Sequence, residues 1–334
     1  MNKKIIAVVL ALIVVLAAVV VVWQYTSGDD DKSAEGTEYV DDLGRTVIIK
    51  DAPERVLCLG SSFTESLIYL DCFDRIASVD KSSVTRLQTL HPEVMKLDTI
   101  DALKPDTNTV EYCINNNIDF VIAWAYGTYS DGIKLLENAG IDVIGLNPSK
   151  MEDISRVITL LGDIMDKKEK AQSIVSDMEN RIETIKTGAM EKAGENYGSY
   201  ARVYVELDTL SKNNGDYASP NSSSITGSIL DILGVDYIGK EASKTQRYQT
   251  ESIIAYAPDY MVFMGPRNQS ESEILRNNMI GPDAPGWSNP NTVISMYTAD
   301  GEPGFNGTWA SATPSLIDGL EFLYNLIYGE TNSP

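Results

Sequence analysis

Between Asp166 and Met190 the chain carries an apolar stripe that suits one long helix. Ala171, Ile174, Val175, Met178, Ile182, Ile185 and Ala189 recur at spacings of three and four, which places them on one helical face. Asp166 with Glu169 three residues on reads as a capping box. Gly188 and Gly194 read as the end, and Asp177 and Arg181 as an i,i+4 pair on the wet side. At ~1.5 Å per residue such a helix spans roughly 35 Å, the width of a small domain. It is either a surface helix of one large domain or a rigid rod between two lobes.

The sequence on both sides favours the rod. The chain has 334 residues, enough for two domains. In 39–165, the turn Asp42-Leu-Gly-Arg45 leads into a strand at 46–49. Strands at 55–59, 75–79, 119–123 and 142–146 then alternate with helices at 63–70, 107–116 and 130–139, and 151–165 closes the region. In 191–334, strands at 201–207, 235–238, 260–264 and 292–297 alternate with helices at 223–233, 250–256, 271–278 and 314–328. Long Gly/Asn/Ser/Pro loops occupy 211–221 and 298–313. Such alternation predicts an α/β fold with parallel sheets.

The two halves also echo each other. Ser66-Leu-Ile-Tyr-Leu-Asp-Cys-Phe-Asp74 aligns with Ser228-Ile-Leu-Asp-Ile-Leu-Gly-Val-Asp236. Glu111 to Asp119 aligns with Glu251 to Asp259 at identical spacing. Two matches in the same order, either side of the rod, predict two pseudo-symmetric parallel-sheet lobes joined by one long helix over 166–190. The repeat pairs Glu111 with Glu251. Each reads as lying near a helix start, where the dipole favours a carboxylate. As a pair they could instead bind basic residues of a two-fold partner.

At the N-terminus, Lys3 and Lys4 precede an unbroken apolar run over 5–23, and Asp29, Asp30 and Asp31 come after it. The run is long enough to cross a bilayer, and the flanking charges put the rest of the chain outside. Residues 1–25 are expected to be a signal anchor, with a cleaved signal peptide as the alternative, and 26–38 an acidic tether. Asn221, Asn268 and Asn306 open sequons, candidates for glycosylation.

A net charge of −21 and a pI near 4.4 argue against nucleic-acid partners. Three cysteines, Cys58, Cys72 and Cys113, without a CxxC signal neither zinc nor a disulfide framework, and they read as buried thiols with a Cys58–Cys72 bridge left open. With one histidine, His91, read as a surface or cap residue, no resident metal or cofactor is expected and no triad can be assembled. Gly60-Ser61-Ser62 is a polar turn into a helix, a weak anion signal.

In open α/β sheets, ligands sit beyond the carboxyl ends of the strands. Those ends give Ser61 and Ser62, then Trp124, Tyr126 and Tyr129, then Asn147. In the second half they give Asp208, Tyr217, Arg267 and Trp309, with Arg247 and Tyr248 on a loop. Flat aromatic surface with forked guanidinium donors suits a bulky, partly apolar, partly anionic small molecule. Core packing is the commoner fate of any single aromatic, and Trp124 and Trp309 are the clearest exceptions.

The pattern resembles the substrate-binding proteins of ABC importers for ferric siderophores, haem and cobalamin. The resemblance is carried by Val40-Asp-Asp-Leu-Gly-Arg-Thr-Val-Ile-Ile and by Pro53-Glu-Arg-Val-Leu-Cys-Leu-Gly-Ser-Ser-Phe-Thr-Glu-Ser-Leu-Ile-Tyr-Leu. Ile118-Asp-Phe-Val-Ile-Ala-Trp124, Gly140-Ile-Asp-Val-Ile-Gly, Pro258-Asp-Tyr-Met-Val-Phe and Ser311-Ala-Thr-Pro-Ser-Leu continue it. It implies a ligand held between two lobes and one glutamate per lobe, Glu111 and Glu251, docking on arginines of a dimeric permease served by ATPase subunits. Trp124 matches a pocket aromatic of the cobalamin-binding members. The anchor replaces the usual cleaved or lipidated N-terminus.

The resulting expectation is a membrane-tethered, monomeric, extracytoplasmic receptor for an iron–siderophore or similar chelate. Arg86, Arg247 and Arg267 motivate the anionic chelate, and cobalamin is the alternative within the class. A surface hydrolase, or an adhesion or sensor module on the same scaffold, are the alternatives outside it.

Overall fold

The computed structural model describes residues 36–207, 216–264, 269–280, 293–295 and 312–329. The apolar run 5–23, Asp208, Arg267, Asn268, Asn306 and Trp309 lie outside them. Among the described residues no helix is long and apolar enough to cross a membrane.

Strands β1 (Thr37–Val40) and β2 (Thr46–Ile49) form a hairpin on the expected turn. The chain then alternates β3 (Val56–Cys58), α1 (Ser61–Tyr69), β4 (Ile76–Asp80), α2 (Lys81–Leu87), β5 (Asp98–Ile100) and α3 (Thr107–Asn115). It continues through β6 (Phe120–Trp124), α4 (Ser130–Asn138), β7 (Asp142–Leu146) and α5 (Met151–Ile164). The strands form one parallel sheet in the order β5-β4-β3-β6-β7. Leu57, Leu59, Val121, Ala123 and Val143 cover one face and pack on Ile133 and Leu136 of α4. Each such side chain contributes about 2 kcal/mol when withdrawn from water.

The edge beyond β7 is fastened by the hairpin turn. Asp41, nearly fully buried, accepts from the backbone N–H groups of Leu43, Arg45 and Gly145, each at 3.0 Å, and from the Arg45 guanidinium. Arg45 also reaches the Val143 carbonyl at 3.2 Å.

The long helix, α6 (Lys168–Ala193), has 26 residues. Asp166 does not cap it. Asp166 has φ 56° and closes α5, with the Lys167 N–H donating back to the Gly162 carbonyl at 2.6 Å. Aspartate visits this left-handed region more readily than most residues, and D-x-x-E spacing alone cannot tell a terminator from a cap. Gly188 does not end the helix either. A Cβ there would lie 2.3 Å from the Tyr324 hydroxyl, so this glycine permits close approach, and Gly194, at φ 56°, is the terminator.

Beyond α6 the strands are β8 (Arg202–Glu206), β9 (Asp216–Ser219), then, after helix α7 (Ile225–Ile232), β10 (Asp236–Tyr237) and β11 (Gln246–Gln249). Helix α8 (Thr250–Tyr256), β12 (Tyr260–Phe263), helix α9 (Gln269–Ile280), β13 (Val293–Ser295) and helix α10 (Leu316–Tyr328) complete the described chain. A second parallel sheet has the order β10-β8-β12-β13, which repeats the first sheet without its β5 edge. β9 falls inside the stretch expected to be loop, and pairs antiparallel with β11. Neither strand is apolar, so neither shows a period.

The aligned aspartates do the same work in both sheets. Asp119 accepts from the N–H groups of Glu54 and Arg55, and the Arg55 guanidinium donates to the Asn116 carbonyl that ends α3. Asp259 accepts from the N–H of Arg202, whose guanidinium donates to the Tyr256 carbonyl that ends α8. The other alignment is looser, for Asp236 opens β10 while Asp74 sits in a 3-10 turn two residues before β4.

Helix α6 is tied along its length. Its first half packs on α5, where Gly162 makes room for Ala171. Its second half meets α10: Arg181 donates to Glu321 at 2.9 Å and to Asp318, and Lys192 donates to the Tyr328 carbonyl at 2.7 Å. The expected Asp177 pair is present but longer, at 3.8 Å. The hydrogen bond from Arg181 holds the Glu321 carboxyl below its ordinary value, against a smaller opposing effect of burial. A lowered carboxyl stabilises the fold above its unfolded value, near pH 4.5, and that stability is lost as pH falls through the folded value. The thermal midpoint is therefore expected to fall more steeply from about pH 6 to about pH 3 in the native chain than in Arg181→Gln. Both residues are partly exposed, so the difference is small.

The three cysteines are free and buried, with no Cys58–Cys72 bridge. Burial pushes the Cys113 thiol up to about 12, which leaves it inert. Asn221 is 4% exposed and donates to the Ala242 carbonyl, so its sequon is closed to glycosylation in the fold. His91 is the cap residue of the 3-10 turn Pro92–Lys96, through its carbonyl rather than its side chain. Its side chain is 14% exposed and lies against Glu65.

Candidate functional site

The carboxyl end of the first sheet carries an aromatic edge. β6 ends on Trp124, half-buried, and the chain turns through Tyr126 and Tyr129 into α4. Trp124 stacks on Tyr126 with centroids 5.4 Å apart and planes 5° apart. Tyr129 meets Tyr126 edge-on at 5.3 Å, and the Lys104 ammonium lies 6.0 Å from the Tyr129 ring centre. Burial, and then the neighbouring Tyr129, push the Tyr126 hydroxyl up, so it serves as a neutral donor. Tyr126 is 43% exposed and offers one face of this stack to solvent.

The β3 end completes this side. Gly60 precedes α1 with φ 146°, and a Cβ there would come within 2.5 Å of Trp124 Nε1. Glycine is thus required twice, by the backbone and by the indole. Ser61 and Ser62 come next at the start of α1, but both are buried, and Phe63 packs on Trp124 at 4.8 Å. Asn147, at the end of β7, is exposed, with its N–H held by Asp42.

In the second sheet, Tyr217 of β9 faces Tyr248 of β11 across the strand pair, and both are half-buried against Tyr204, Ile253 and Phe263. The Tyr248 hydroxyl donates to the Ile238 carbonyl at 3.0 Å. Arg247, beside it, is exposed. Arg247 and Tyr248, expected on a loop, both lie in β11.

Two residues at strand ends carry no motif that singles them out in the sequence. Glu206 ends β8, is 1% exposed, and accepts from the Tyr204 hydroxyl at 2.8 Å. Burial and then Glu206 push the Tyr217 hydroxyl up. Asp80 ends β4, is 2% exposed, and accepts from Ser82, Ser83 and the Ser83 N–H. An acid closing an apolar strand is the one available sign, and at the end of β8 the neighbouring Asp208 competes with it.

Arg86 is exposed in the last turn of α2, the helix that follows β4. Arg267, Asp208 and Trp309 lie outside the described residues. Glu251 is the second residue of α8, but Glu111 lies in the second turn of α3 rather than at its start. Both are exposed. A cavity of about 320 Å³ lined by Thr99, Asp101, Asp106 and Tyr112 lies beside α3, and Trp124, Tyr126 and Tyr129 do not line it. Among the described residues no three His, Cys, Asp or Glu side chains are grouped to hold a metal.

The parallel sheets and the long helix agree with what comparison with known families finds. A family model described as periplasmic binding protein matches residues 56–281. This chain belongs to the periplasmic binding protein family. No curated protein matches it. Among solved structures, the molybdate periplasmic binding protein of a Haemophilus influenzae ABC transporter is 16% identical with a TM-score of 0.71, over 87% of this chain and 91% of that one. A periplasmic solute binding protein from Veillonella parvula is 17% identical with a TM-score of 0.69, over 88% of each chain. The periplasmic vitamin B12 binding protein of Vibrio cholerae is 14% identical with a TM-score of 0.61, over 83% and 97%. At these identities the likeness establishes the periplasmic binding protein fold.

Proposed function

We propose that this chain is the substrate-binding protein of an ABC importer, capturing an iron–siderophore or similar iron chelate and delivering it to a permease dimer with its ATPase subunits. The observation that carries this reading is the aromatic edge of Trp124, Tyr126 and Tyr129 at the strand ends of a periplasmic binding protein. Similar structures include a haem-binding protein from Roseiflexus and a protein of a Fe3+-hydroxamate transport system from Saccharomonospora viridis. In this reading 39–165 and 191–334 are two lobes, α6 is the rod between them, and the ligand sits between the strand ends. The metal arrives already coordinated. The chain acts as a carrier rather than an enzyme, a monomer held at the membrane by 5–23 with its lobes outside.

Helix α6 is continuous and tied to both α5 and α10. Closure is therefore small, and the permease reads liganded protein through slight changes in the spacing of Glu111 and Glu251.

A corrinoid is the second reading, and one observation favours it. The Trp124–Tyr126 stack suits a large flat ring. Titrating the full-length chain with a ferric hydroxamate, haem, vitamin B12 and molybdate separates these. The expected result is saturable binding of the ferric chelate. Binding of vitamin B12 alone would move the assignment to the corrinoid, and binding of none would remove both.

A further inference from the structure

Away from the aromatic edge, two buried groups face each other with no other bond. Glu65, in α1, is fully buried, and neither carboxylate oxygen has a hydrogen-bond partner. His91 is the only histidine of the chain. Its Nε2 is also buried without a partner and stands 3.5 Å from Glu65 Oε1. That separation is a few tenths of an ångström beyond an ordinary N–H···O bond. A buried carboxylate without a donor is costly, and so is a buried ring nitrogen without a partner, but one bond relieves both.

The other titratable groups around the pair do not replace that bond. Glu93 lies on the far side of the imidazole, 3.6 Å from Nδ1. The Tyr69 ring meets the imidazole edge-on at 6.0 Å. Asp318 and Arg181 act on Tyr69, and burial followed by Glu65 pushes its hydroxyl up to about 12, so it stays neutral.

The pair sits one turn below the site. Glu65 is three and four residues from Ser62 and Ser61, and Phe63 between them packs on Trp124 at 4.8 Å. We propose that Glu65 and His91 are a positioning pair, in which His91 Nε2–H donates to the Glu65 carboxylate and fixes the first turn of α1 against Trp124. Its relevance to a ligand rests on the binding function proposed above, but its test needs no ligand.

The full-length chain in detergent, labelled with 15N in tryptophan and histidine, reports this by NMR. In the native chain the His91 Nε2–H is expected as a proton signal protected from exchange by its bond to Glu65. The Trp124 indole signal, assigned with Trp124→Phe, is expected to shift in His91→Leu and in Glu65→Gln, and the double variant to shift no further than either single one, because both remove the same bond. An exchanging, unprotected His91 N–H in the native chain would overturn the proposal without any variant, and so would a Trp124 signal that stays put in both single variants or shifts that add in the double one.

Discussion

Replacing Glu111 and Glu251 together with alanine is expected to abolish uptake while leaving ligand affinity within about twofold of the native chain. Both are exposed, and among the described residues neither makes an ion pair. Surface substitutions of this kind change the fold by no more than about 0.5 kcal/mol. In a docked complex each carboxylate would be desolvated against a permease arginine. Removing one partner of such a pair costs about 2–5 kcal/mol, so losing two weakens docking by roughly a thousandfold. Uptake assays in cells and titration of the purified chain check the two halves separately. Uptake that persists in the double variant would show that these glutamates do not dock.

The second large effect is on stability. Asp41→Ala removes the acceptor shared by the N–H groups of Leu43, Arg45 and Gly145 and by the Arg45 guanidinium. Arg45 keeps Glu137, at 2.6 Å, so its charge is not left alone. The backbone donors around a nearly fully buried site are left without partners. The expected loss is about 3 kcal/mol, from the unsatisfied donors and the broken pair. Denaturant unfolding measures it as a lower midpoint with an unchanged slope. A loss under about 1 kcal/mol would mean that the turn does not fasten the β7 edge.

How much of the molecule is legible in the sequence depends on the range of each interaction. The strands around 119–123 and 142–146 are short apolar runs closed by turns, and they appear where their pattern puts them. The repeat of Asp119 and Asp259 was legible because each aspartate acts on the strand beside it in the same way. The true end of α6 at Gly194 was legible, but Gly188 was not, because its reason is Tyr324 on a distant helix. β9 and β11 are polar strands whose pairing, not their pattern, defines them. At the site, Trp124, Tyr126 and Tyr129 could be found because they come directly after a strand. The helix Lys81–Leu87 that carries Arg86 was not legible, because it is seven residues long and mostly polar. His91 was legible as a cap residue, but its contact with Glu65 was not, because Glu65 comes from another element.

The central claim is that a ligand rests on the aromatic edge at the end of β6, and calorimetric titration of Trp124→Ala beside the native full-length chain tests it most directly. Trp124 faces Tyr126 and Phe63, both of which would lose a ring. Truncating a central aromatic of this kind costs about 2 kcal/mol or more, so affinity for the ferric hydroxamate is expected to fall about thirtyfold. The variant should still unfold cooperatively. Unchanged affinity in Trp124→Ala, with the native chain binding saturably, would contradict the claim and place the ligand elsewhere.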